Sequence, residues 1–580
     1  MRVIVDKHVD VAMRDGTRLK ANVYRPDDGE RHPVLLTRLP YGKDLGLATS
    51  LVDPLRAAER GYIVVAQDVR GRFRSEGTFT PFEDEFHDGY DTVEWAARLP
   101  GADGQVGMFG ASYFGMTQWQ AAVERPPHLK TLVPAITWGN FFRGAFRRGG
   151  ALEWGLWLAW LLAAIAPDAV MRRHPHDPLA LAAAGWQLAE EIDMLDSRGY
   201  WTLPLMDFRG LQNVVPSFYR QLQLTLDDPY WDRLNVDRYW SEMNLPVLVL
   251  GGWYDVFLGE TLRAYKAFSG HGRPFGPRLV IGPWTHGTFS GLTGDVNFGV
   301  AASGALINLR EDVTALHLRW FDAVLQGRAG SWADEAPVQI FVMGENRWRY
   351  LADWPPPDVY PWNLFLHARS GANTAGGTGV LDEVPPVDEA PDRFFYDPMN
   401  PVPTVGGPLL LAGTFRPGPL DQAPVESRPD VLCYTSAPLQ ENVTVMGAVS
   451  VTLHAATSAP DTDFVARLVD VYPDGRAYPL TDGILRLSAR EVNWDRPADS
   501  QLRPAEPHRV YELTIDLWAT ANTFLAGHRI RLDITSSSFP RWDRNLNTGS
   551  SGIVSSAMAI AEQHVFHDRA HPSILHLMRL

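Results

Sequence analysis

Ser112 has the sequence surroundings of a nucleophilic serine. It lies in the run Gly110-Ala111-Ser112-Tyr113-Phe114-Gly115, between an apolar strand-like run that ends at Phe109 and a helical run over residues 116–123. A strand–turn–helix of this kind exposes the serine hydroxyl and places the positive end of a helix dipole beneath it. The sequence therefore predicts Ser112 as the nucleophile of an acyl-transfer reaction.

The motif departs in one detail from the general G-x-S-x-G pattern of such turns. Phe114 occupies the second glycine position, and Gly115 follows one residue later. The run Gly549-Ser550-Ser551 also matches the first half of the pattern, but no helical run follows it. The flanking strand and helix thus favour Ser112 over the later serines.

A serine hydroxyl needs an imidazole to accept its proton, and the imidazole needs a carboxylate that fixes its tautomer. Asp255 ends the run Gly251-Gly252-Trp253-Tyr254-Asp255 that follows the strand-like run 247–250, and His286 follows the strand-like run 279–281. In folds with this kind of turn, the order along the chain is serine, acid, histidine. Asp255 and His286 satisfy that order, whereas His271 precedes its strand and is discounted.

Stabilisation of the oxyanion requires two hydrogen-bond donors. The backbone N–H of Tyr113, the residue after the nucleophile, is the first expected donor. The second should follow an early strand, where the sequence reads Thr37-Arg38-Leu39-Pro40-Tyr41-Gly42-Lys43. The hydroxyl of Tyr41 could serve there; the alternative is an aromatic side chain that packs on the sheet.

The sequence predicts that these residues are positioned by an α/β unit that is interrupted by an insertion. Over residues 1–137, short apolar runs alternate with helical patterns, as in a parallel sheet with crossover helices, and strand-like runs return at 246–250 and 278–281. Between them, residues 151–223 are rich in Leu, Ala and Trp at helical spacing, with predicted breaks at Pro167 and Pro175. After residue 355, alternating strands indicate an all-β sandwich or jelly roll.

Composition restricts the class of protein. The 580 residues carry a net charge of −15, which argues against a general nucleic-acid binder, and Arg70, Arg72 and Arg74 are interpreted as a solvated or salt-bridged loop. The single cysteine, Cys433, excludes an internal disulfide. The N-terminal run lacks the apolar stretch of a signal peptide, and the longest apolar run, 151–166, is interrupted by Glu153 and shorter than a bilayer span. A soluble cytoplasmic protein that is not inserted in a membrane is expected.

Several aromatic residues are candidates for a substrate pocket. Trp154, Trp157 and Trp160 lie three apart on a predicted helix, where they either pack in a core or line an acyl pocket. Phe257, two residues after Asp255, is a further candidate. His174-Pro175-His176-Asp177 is interpreted as an exposed turn rather than a metal cluster, and neither a metal nor a cofactor is expected.

Taken in order, these motifs resemble the cocaine esterase and X-prolyl dipeptidyl aminopeptidase group of α/β-hydrolases, also called CocE/NonD hydrolases. The resemblance spans nearly the whole chain. The matching motifs are Pro40-Tyr41-Gly42-Lys43, Gln67-Asp68-Val69-Arg70-Gly71-Arg72, Ser75-Glu76-Gly77, Val106-Gly107-Met108-Phe109-Gly110-Ala111-Ser112-Tyr113, Trp253-Tyr254-Asp255, Gly282-Pro283-Trp284-Thr285-His286, Asp461-Thr462-Asp463-Phe464, Leu468-Val469-Asp470-Val471-Tyr472-Pro473-Asp474-Gly475 and Phe539-Pro540-Arg541-Trp542.

The resemblance implies an α/β-hydrolase core (residues 1–140 and 241–352), a helical cap (141–240) and a C-terminal jelly-roll β domain (353–580). The family's turn also has the form G-x-S-Y-x-G, which accounts for the shifted glycine. Its catalytic residues fall on Ser112, Asp255 and His286, and its oxyanion tyrosine falls on Tyr41. The resemblance is also compatible with a homodimer.

Three functions remain open at this stage. The first is a serine esterase that acts on small or medium acyl groups. The second is an X-Pro dipeptidyl peptidase or amide hydrolase with the same catalytic residues; the family's amino-acid-specific members bind the substrate ammonium with acidic residues, and residues 137–143 contain none. The present chain is also expected to start directly on the core, whereas the X-prolyl peptidases of the family often carry an extra N-terminal domain. The third is a non-catalytic carbohydrate- or surface-binding protein, for which the three catalytic residues would be superfluous.

Overall fold

A ten-stranded sheet organises the first part of the chain in the computed structural model, which describes residues 2–212, 214–269, 275–328 and 330–580. His271 lies outside the described residues. In spatial order the strands are Val3–Ala12, Arg18–Pro26, Ile63–Asp68, His32–Leu39, Ala102–Ala111, Leu129–Ala135, Leu248–Tyr254, Arg278–Thr285, Val338–Val342 and Arg347–Leu351.

The sheet is mixed rather than wholly parallel. The seven strands from Ile63–Asp68 to Val338–Val342 run parallel to their neighbours. Val3–Ala12 and Arg18–Pro26 pair antiparallel at one edge, and Arg347–Leu351 is antiparallel at the other. The parallel pattern predicted over residues 1–137 therefore holds from Ile63–Asp68 onward in spatial order, and the first two strands, which the sequence did not single out, depart from it. Val3–Ala12 lies at the edge and is mostly half-buried or exposed, whereas Arg18–Pro26 pairs on both sides and has five buried residues.

Helices connect the parallel strands and bury their apolar faces. Those of the α/β part are Pro54–Glu59, Glu85–Ala96, Tyr113–Val123, Leu258–Phe268 and Val313–Leu325. The strand Arg278–Thr285 runs on to the residue before His286, and Leu248–Tyr254 runs on to the residue before Asp255. Both strands thus extend further toward the predicted site than their apolar runs indicated.

The chain between the strands Leu129–Ala135 and Leu248–Tyr254, which are neighbours in the sheet, forms a group of helices. Their bounds are Trp154–Trp160, Ala166–Arg173, Pro178–Asp193, Pro216–Gln223 and Pro229–Leu234. Turns of π type cover Phe142–Phe146, Leu161–Ile165 and Leu195–Gly199, and 3₁₀ turns cover Gly46–Thr49, Leu205–Asp207, Val236–Glu242, Val300–Ala302, Gly330–Ala333, Leu487–Ala489 and Pro497–Asp499.

The predicted break at Pro167 was wrong, whereas the one at Pro175 is confirmed. Pro167 lies in the first turn of Ala166–Arg173, where a missing N–H is tolerated, and the π turn before it carries the helix through. Trp154–Arg173 is consequently a 20-residue helical stretch with the length and apolarity of a candidate membrane span, and 61% of its most apolar window is buried within the protein. Such burial is what a core helix shows.

The C-terminal part is rich in β structure. Its strands are Tyr360–Ala368, Gly379–Asp382, Asp392–Tyr396, Leu432–Thr435, Val443–Thr457, Asp463–Val471, Ala477–Arg486, Tyr511–Phe524, Arg529–Thr535, Ala561–Phe566 and Ile574–Arg579, with one helical turn at Ala423–Glu426. They join in one eleven-stranded sheet. Of the predicted domain limits, those after residues 140 and 352 fall between elements, and that at 240 falls inside Val236–Glu242.

Candidate active site

Ser112 lies at a strained turn between the strand Ala102–Ala111 and the helix Tyr113–Val123. Its φ of 55° and ψ of −123° lie outside the regions that residues with a side chain ordinarily adopt. A Cβ on Gly115 would approach the Cβ of Thr137 to 2.6 Å, and the hydroxyl of Thr137 donates to the carbonyl of Ser112 at 2.7 Å. Glycine is thus needed at position 115, one residue later than in the general pattern, because Thr137 packs against the turn there.

Two strand ends bring the imidazole and the carboxylate to this serine. The Nε2 atom of His286 is 2.9 Å from Oγ of Ser112, and its Nδ1 atom is 2.7 Å from Oδ1 of Asp255. Asp255 is fully buried, so its carboxylate cannot be solvated by bulk water and bonds instead to the imidazole. With Nδ1 protonated toward Asp255, Nε2 is free to accept the serine proton. The structure therefore brings the three predicted residues into one hydrogen-bonded chain.

The hydroxyl of Tyr41 lies beside this chain. It accepts a hydrogen bond from Nε1 of Trp160 at 2.9 Å. Burial raises the pKa of Tyr41 to about 12, although its hydrogen bonds with Trp160 and Ser112 act in the opposite direction. At neutral pH the phenol is protonated and can donate. The other predicted donor, the N–H of Tyr113, is at the first helical position, where no acceptor exists within the helix.

Arg72 fixes the segment that carries Tyr41. Its Nε donates to the carbonyl of Pro40 at 2.9 Å, and its Nη1 donates to the carbonyl of Ile165 at 2.9 Å. An ion pair with Asp168 at 3.4 Å compensates the charge. The side chain is 1% exposed, so of the two alternatives for this loop, solvated or salt-bridged, the salt-bridged one fits Arg72. It links the Tyr41 loop to the helical stretch over the site.

Of the predicted pocket residues, Phe257 and Trp160 contact the site. The edge of the Phe257 ring meets the His286 ring with a centroid distance of 5.0 Å, and Trp160 bonds to Tyr41 as above. Trp157 lies one ring further away, 5.4 Å from Trp160 between centroids. Trp154 donates to the carbonyl of Tyr200 and is fully buried among the helices.

Sequence reasoning missed two aromatic residues near the site. Phe82 stacks on Tyr113 with a centroid distance of 4.5 Å and also on Trp160 at 5.9 Å. Trp138 packs on Phe257 at 4.6 Å. Both come from loops, where the sequence has no periodic pattern, and only the fold places them here. They give the surroundings of the hydrogen-bonded chain an aromatic character.

The buried carboxylates near the nucleophile turn and the cap are already paired. Glu85 accepts from the hydroxyl of Tyr113 at 2.9 Å and from Arg38 at 2.8 Å. Glu260 accepts from the N–H of Asn140 at 2.8 Å. It also accepts from Nε of Arg143 at 3.1 Å.

The same arginine also holds a second acid. Nη2 of Arg143 lies 2.7 Å from Asp237, and Nε lies 3.1 Å from Glu260. Residues 137–143 thus contain no acid of their own, but the fold brings Glu260, Asp237 and the exposed Asp495 to Arg143. A second arginine, Arg263, lies 3.7 Å from Glu260 and 2.9 Å from Asp495, so each of the three carboxylates is in an ion pair.

Metal ligands are not grouped in the described part of the chain: no set of three or more His, Cys, Asp or Glu side chains there is arranged to hold an ion. The side chain of Asp177 caps the helix Pro178–Asp193 by accepting from the N–H of Ala180. Residues 174–177 thus form the predicted exposed turn, which leads into the helix Pro178–Asp193.

Comparisons with known proteins agree with this architecture. Residues 15–288 match the X-Pro dipeptidyl-peptidase (S15 family) model, and residues 330–576 match the X-Pro dipeptidyl-peptidase C-terminal non-catalytic domain. The chain is 38% identical to a cocaine esterase of Rhodococcus sp. (strain MB1 Bresler) over 98% of this chain and 97% of the relative.

Solved structures show the same fold over the whole chain. An α-amino acid ester hydrolase matches with a TM-score of 0.77 and 25% identity, covering 100% of this chain and 97% of that one. An aminopeptidase from a marine sediment Thaumarchaeota archaeon matches with a TM-score of 0.80 and 24% identity, covering 100% and 96%. The resemblance read from the motifs is confirmed: the chain is a hydrolase with an α/β-hydrolase core and a C-terminal β-rich domain, and it belongs to the cocaine esterase and X-prolyl dipeptidyl aminopeptidase (CocE/NonD) family.

Proposed function

We propose that the protein hydrolyses carboxylic esters of small or medium acyl groups through an acyl-enzyme formed on Ser112. The observation that carries this proposal is the unbroken chain of hydrogen bonds from Oγ of Ser112 through His286 to the buried Asp255, at 2.9 and 2.7 Å. These distances are those required of a nucleophile, a general base and an orienting carboxylate. A non-catalytic binding protein would have no use for this arrangement at a strained turn.

In the proposed reaction, Nε2 of His286 takes the proton of Ser112 while Oγ attacks the ester carbonyl. The hydroxyl of Tyr41 and the N–H of Tyr113 donate to the oxyanion. When the tetrahedral intermediate collapses, the alkoxide leaves with the proton from Nε2. Water then gives a proton to Nε2 and attacks the acyl-enzyme, and Ser112 recovers its proton as the acid departs.

The charges around the site favour a neutral acyl group over an α-amino acyl group. A substrate ammonium would need a carboxylate that is free to pair with it. Glu260 and Asp237 are held by Arg143, and Glu85 is held by Arg38. The aromatic rings of Phe257 and Trp160 at the site fit an apolar acyl group, including an aromatic one.

The family's second activity, cleavage after an X-Pro dipeptide or of an amide, uses the same chemistry and is the alternative. The match of residues 15–288 to the X-Pro dipeptidyl-peptidase family favours it. The two differ in what the enzyme must bind beside the scissile bond. A peptidase of this kind needs a site for a free amino terminus, whereas an esterase does not.

We also propose a domain organisation, a class of binding partner, a location and an oligomeric state for the enzyme. Residues 141–240 would act as a cap over a core formed by 1–140 and 241–352, with 353–580 as a jelly roll. The partner would be a small molecule rather than a nucleic acid, consistent with the net charge of −15. A cytoplasmic location and a homodimer are the further expectations, and light scattering after size-exclusion chromatography tests the dimer.

Rates on p-nitrophenyl butyrate, p-nitrophenyl benzoate and alanyl-prolyl-p-nitroanilide test the proposal. Wild type is compared with Ser112→Ala and with the matched control Ser551→Ala, since Ser551 stands two residues after Gly549 as Ser112 does after Gly110. We expect ester turnover with little anilide cleavage, a loss of about 10⁴-fold or more in Ser112→Ala, and no loss in the control. Dominant anilide cleavage would establish the alternative, and ester turnover that survives Ser112→Ala would refute the nucleophile.

A further inference from the structure

The side chain of Tyr113 is fully buried, although the proposed reaction uses only the backbone N–H of this residue. Its hydroxyl donates to Oε1 of Glu85 at 2.9 Å and accepts from the N–H of Phe82 at 3.1 Å. Burial, and after it the charge of Glu85, raises the pKa of Tyr113 well above its ordinary value, so the phenol stays protonated and donates. The far end of the ring is thus held by hydrogen bonds.

A buried arginine holds the carboxylate that receives this bond. Nη1 of Arg38 donates to Oε2 of Glu85 at 2.8 Å, so each oxygen of the carboxylate has a partner of its own. Arg38 is 0% exposed and Glu85 is 3% exposed. Burial raises the pKa of Glu85, and the guanidinium of Arg38 acts in the opposite direction. Because separation of the pair would leave an unpaired charge out of water, the two side chains are kept in one arrangement.

The ion pair joins the segments that carry the two proposed oxyanion donors. Arg38 lies on the strand His32–Leu39, three residues before Tyr41. Tyr113, which supplies the other donor, begins a helix. The carboxylate of Glu85 therefore ties the first turn of that helix to the strand that precedes Tyr41.

The nucleophile turn needs such restraint because its backbone is strained. A conformation like that of Ser112, with a φ of 55°, persists only where its surroundings over-determine it. The peptide group between Ser112 and Tyr113 carries the donor N–H. Its carbonyl accepts from the N–H of Met116 at 2.9 Å and from the hydroxyl of Thr137 at 2.7 Å. The bond from the phenol of Tyr113 restrains the other end of the same peptide group.

We propose that Glu85 and Arg38 are positioning residues of the oxyanion hole, which hold the phenol of Tyr113 so that its N–H points at the developing oxyanion. This inference rests on the acyl transfer proposed at Ser112 and adds the buried groups that keep one donor aimed. A donor is effective only within about 0.5 Å and 10–20° of the productive geometry. Loss of the restraint should therefore cost less than the 10²- to 10³-fold or so that loss of a whole donor costs.

Tyr113→Phe removes the phenol hydroxyl and keeps both the ring and the backbone N–H. Tyr62→Phe is the matched control, because Tyr62 is also fully buried and donates to a carboxylate, that of Asp322, at 2.7 Å. Arg60 pairs with this carboxylate at 2.6 Å. Tyr62 precedes the strand Ile63–Asp68, at the amino ends of the parallel strands, whereas the catalytic residues follow the carboxyl ends. The control therefore measures the general cost of losing a buried tyrosine hydroxyl.

The assays are kcat and KM on p-nitrophenyl butyrate and, by calorimetry, the dissociation constant of butylboronic acid. Oγ of Ser112 adds to the boron of this acid while its proton passes to His286, so the adduct is a tetrahedral anion that resembles the intermediate of ester hydrolysis. We expect Tyr113→Phe to lower kcat about tenfold, to change KM less than about twofold and to weaken the boronic acid about tenfold. Tyr62→Phe should lower the melting temperature as Tyr113→Phe does but leave the other three quantities unchanged.

Glu85→Gln is a second test that acts from the other side of the same bond. An amide has one acceptor oxygen, so it cannot accept from both Tyr113 and Arg38 as the carboxylate does. We expect Glu85→Gln to lower kcat about tenfold in the wild type but by less than about twofold in the Tyr113→Phe background, because Glu85 acts through the phenol.

An unchanged kcat and an unchanged boronic acid affinity in Tyr113→Phe would overturn the proposal, as would losses that add in the double variant. A shift of more than about 0.5 unit in the acid limb of the kcat/KM pH profile of Tyr113→Phe would also overturn it, since the general base would then have moved. Failure of the proposed function would look different: ester turnover would be absent from the wild type or would survive Ser112→Ala, whatever residue stands at position 113.

Discussion

Replacement of Tyr41 by phenylalanine removes one hydroxyl that has two separable roles in this structure. The hydroxyl is the proposed donor to the oxyanion, and it is also the acceptor for Nε1 of Trp160 at 2.9 Å. The first role concerns only the transition state, and the second concerns the folded protein. Tyr41→Phe should therefore change both the rate and the stability.

The size of each effect follows from what is lost. Loss of one oxyanion donor costs about 10²- to 10³-fold in kcat, or about 2.7–4 kcal/mol of transition-state stabilisation. The N–H of Trp160 loses its partner, which costs about 1–3 kcal/mol where the group is buried. Trp160 is only partly buried, so we expect the lower end of that range. KM should change little, because the ground-state carbonyl makes weaker use of the donor.

A double variant separates the two effects. In Tyr41→Phe/Trp160→Phe the unpartnered N–H is gone, so the melting temperature should recover relative to Tyr41→Phe, whereas kcat should stay low. Trp160→Phe alone keeps the donor and is the control for loss of the indole. The assay is kcat and KM on p-nitrophenyl butyrate, with the melting temperature measured on the same samples.

Two outcomes would refute this reasoning. If Tyr41→Phe lost less than about tenfold in kcat, the hydroxyl would not be an oxyanion donor, and Tyr41 would be the packing aromatic of the alternative interpretation. If kcat recovered in the double variant together with the melting temperature, the loss in the single variant would be a consequence of stability rather than of catalysis.

Three further predictions follow from buried groups. Arg72→Lys should lower kcat on p-nitrophenyl butyrate about tenfold, with a smaller change in KM. The reason is that an ammonium cannot bond at once to the carbonyls of Pro40 and Ile165, as the guanidinium does. An unchanged kcat would contradict the role of Arg72 in positioning Tyr41. Burial lowers the pKa of His317 to about 4, so the unfolded state binds one more proton than the folded state as pH falls from about 6.5 to 4. The free energy of unfolding should therefore fall by up to about 3 kcal/mol over that pH range. Melting temperatures of wild type and His317→Gln across the range check this prediction, and equal pH dependence of the two would contradict it. Cys433 is 2% exposed and burial raises the pKa of its thiol, so Ellman's reagent should label it only after denaturation, and rapid labelling of the native protein would contradict the buried position.

The position of the site could be predicted from the sequence because its residues follow strands. The carboxyl ends of parallel strands meet at one edge of a sheet, so residues that follow Ala102–Ala111, Leu248–Tyr254 and Arg278–Thr285 are brought together by the fold class itself. The exact ends of those strands were less predictable. A Cβ at Gly252 would lie 2.3 Å from the carbonyl oxygen of Trp284, so the glycine that looked like the start of a loop is in fact required for two strands to approach.

Other parts of the site depend on contacts between distant segments, for which a single sequence has no pattern. Arg72 is one arginine in a basic loop until the helical stretch supplies the carbonyl of Ile165 and the carboxylate of Asp168. The antiparallel strands at the edge of the sheet were missed for a related reason. In Val3–Ala12 the apolar residues are interrupted by Asp6, Lys7 and Asp10, and interrupted runs of that kind do not show whether a strand is parallel or antiparallel.

The charge around the site shows most clearly what the fold adds to the sequence. Residues 137–143 contain no acid, and that absence by itself favoured a neutral substrate. The fold brings Glu260 and Asp237 to the same segment, which alone would reverse the conclusion. Ion pairs of these acids with Arg143 and Arg263 then restore it. What matters for an incoming ammonium is the number of unpaired carboxylates rather than the number of acidic residues. The preference for a neutral ester therefore rests on Arg143 and Arg263, residues that the sequence offers no reason to single out.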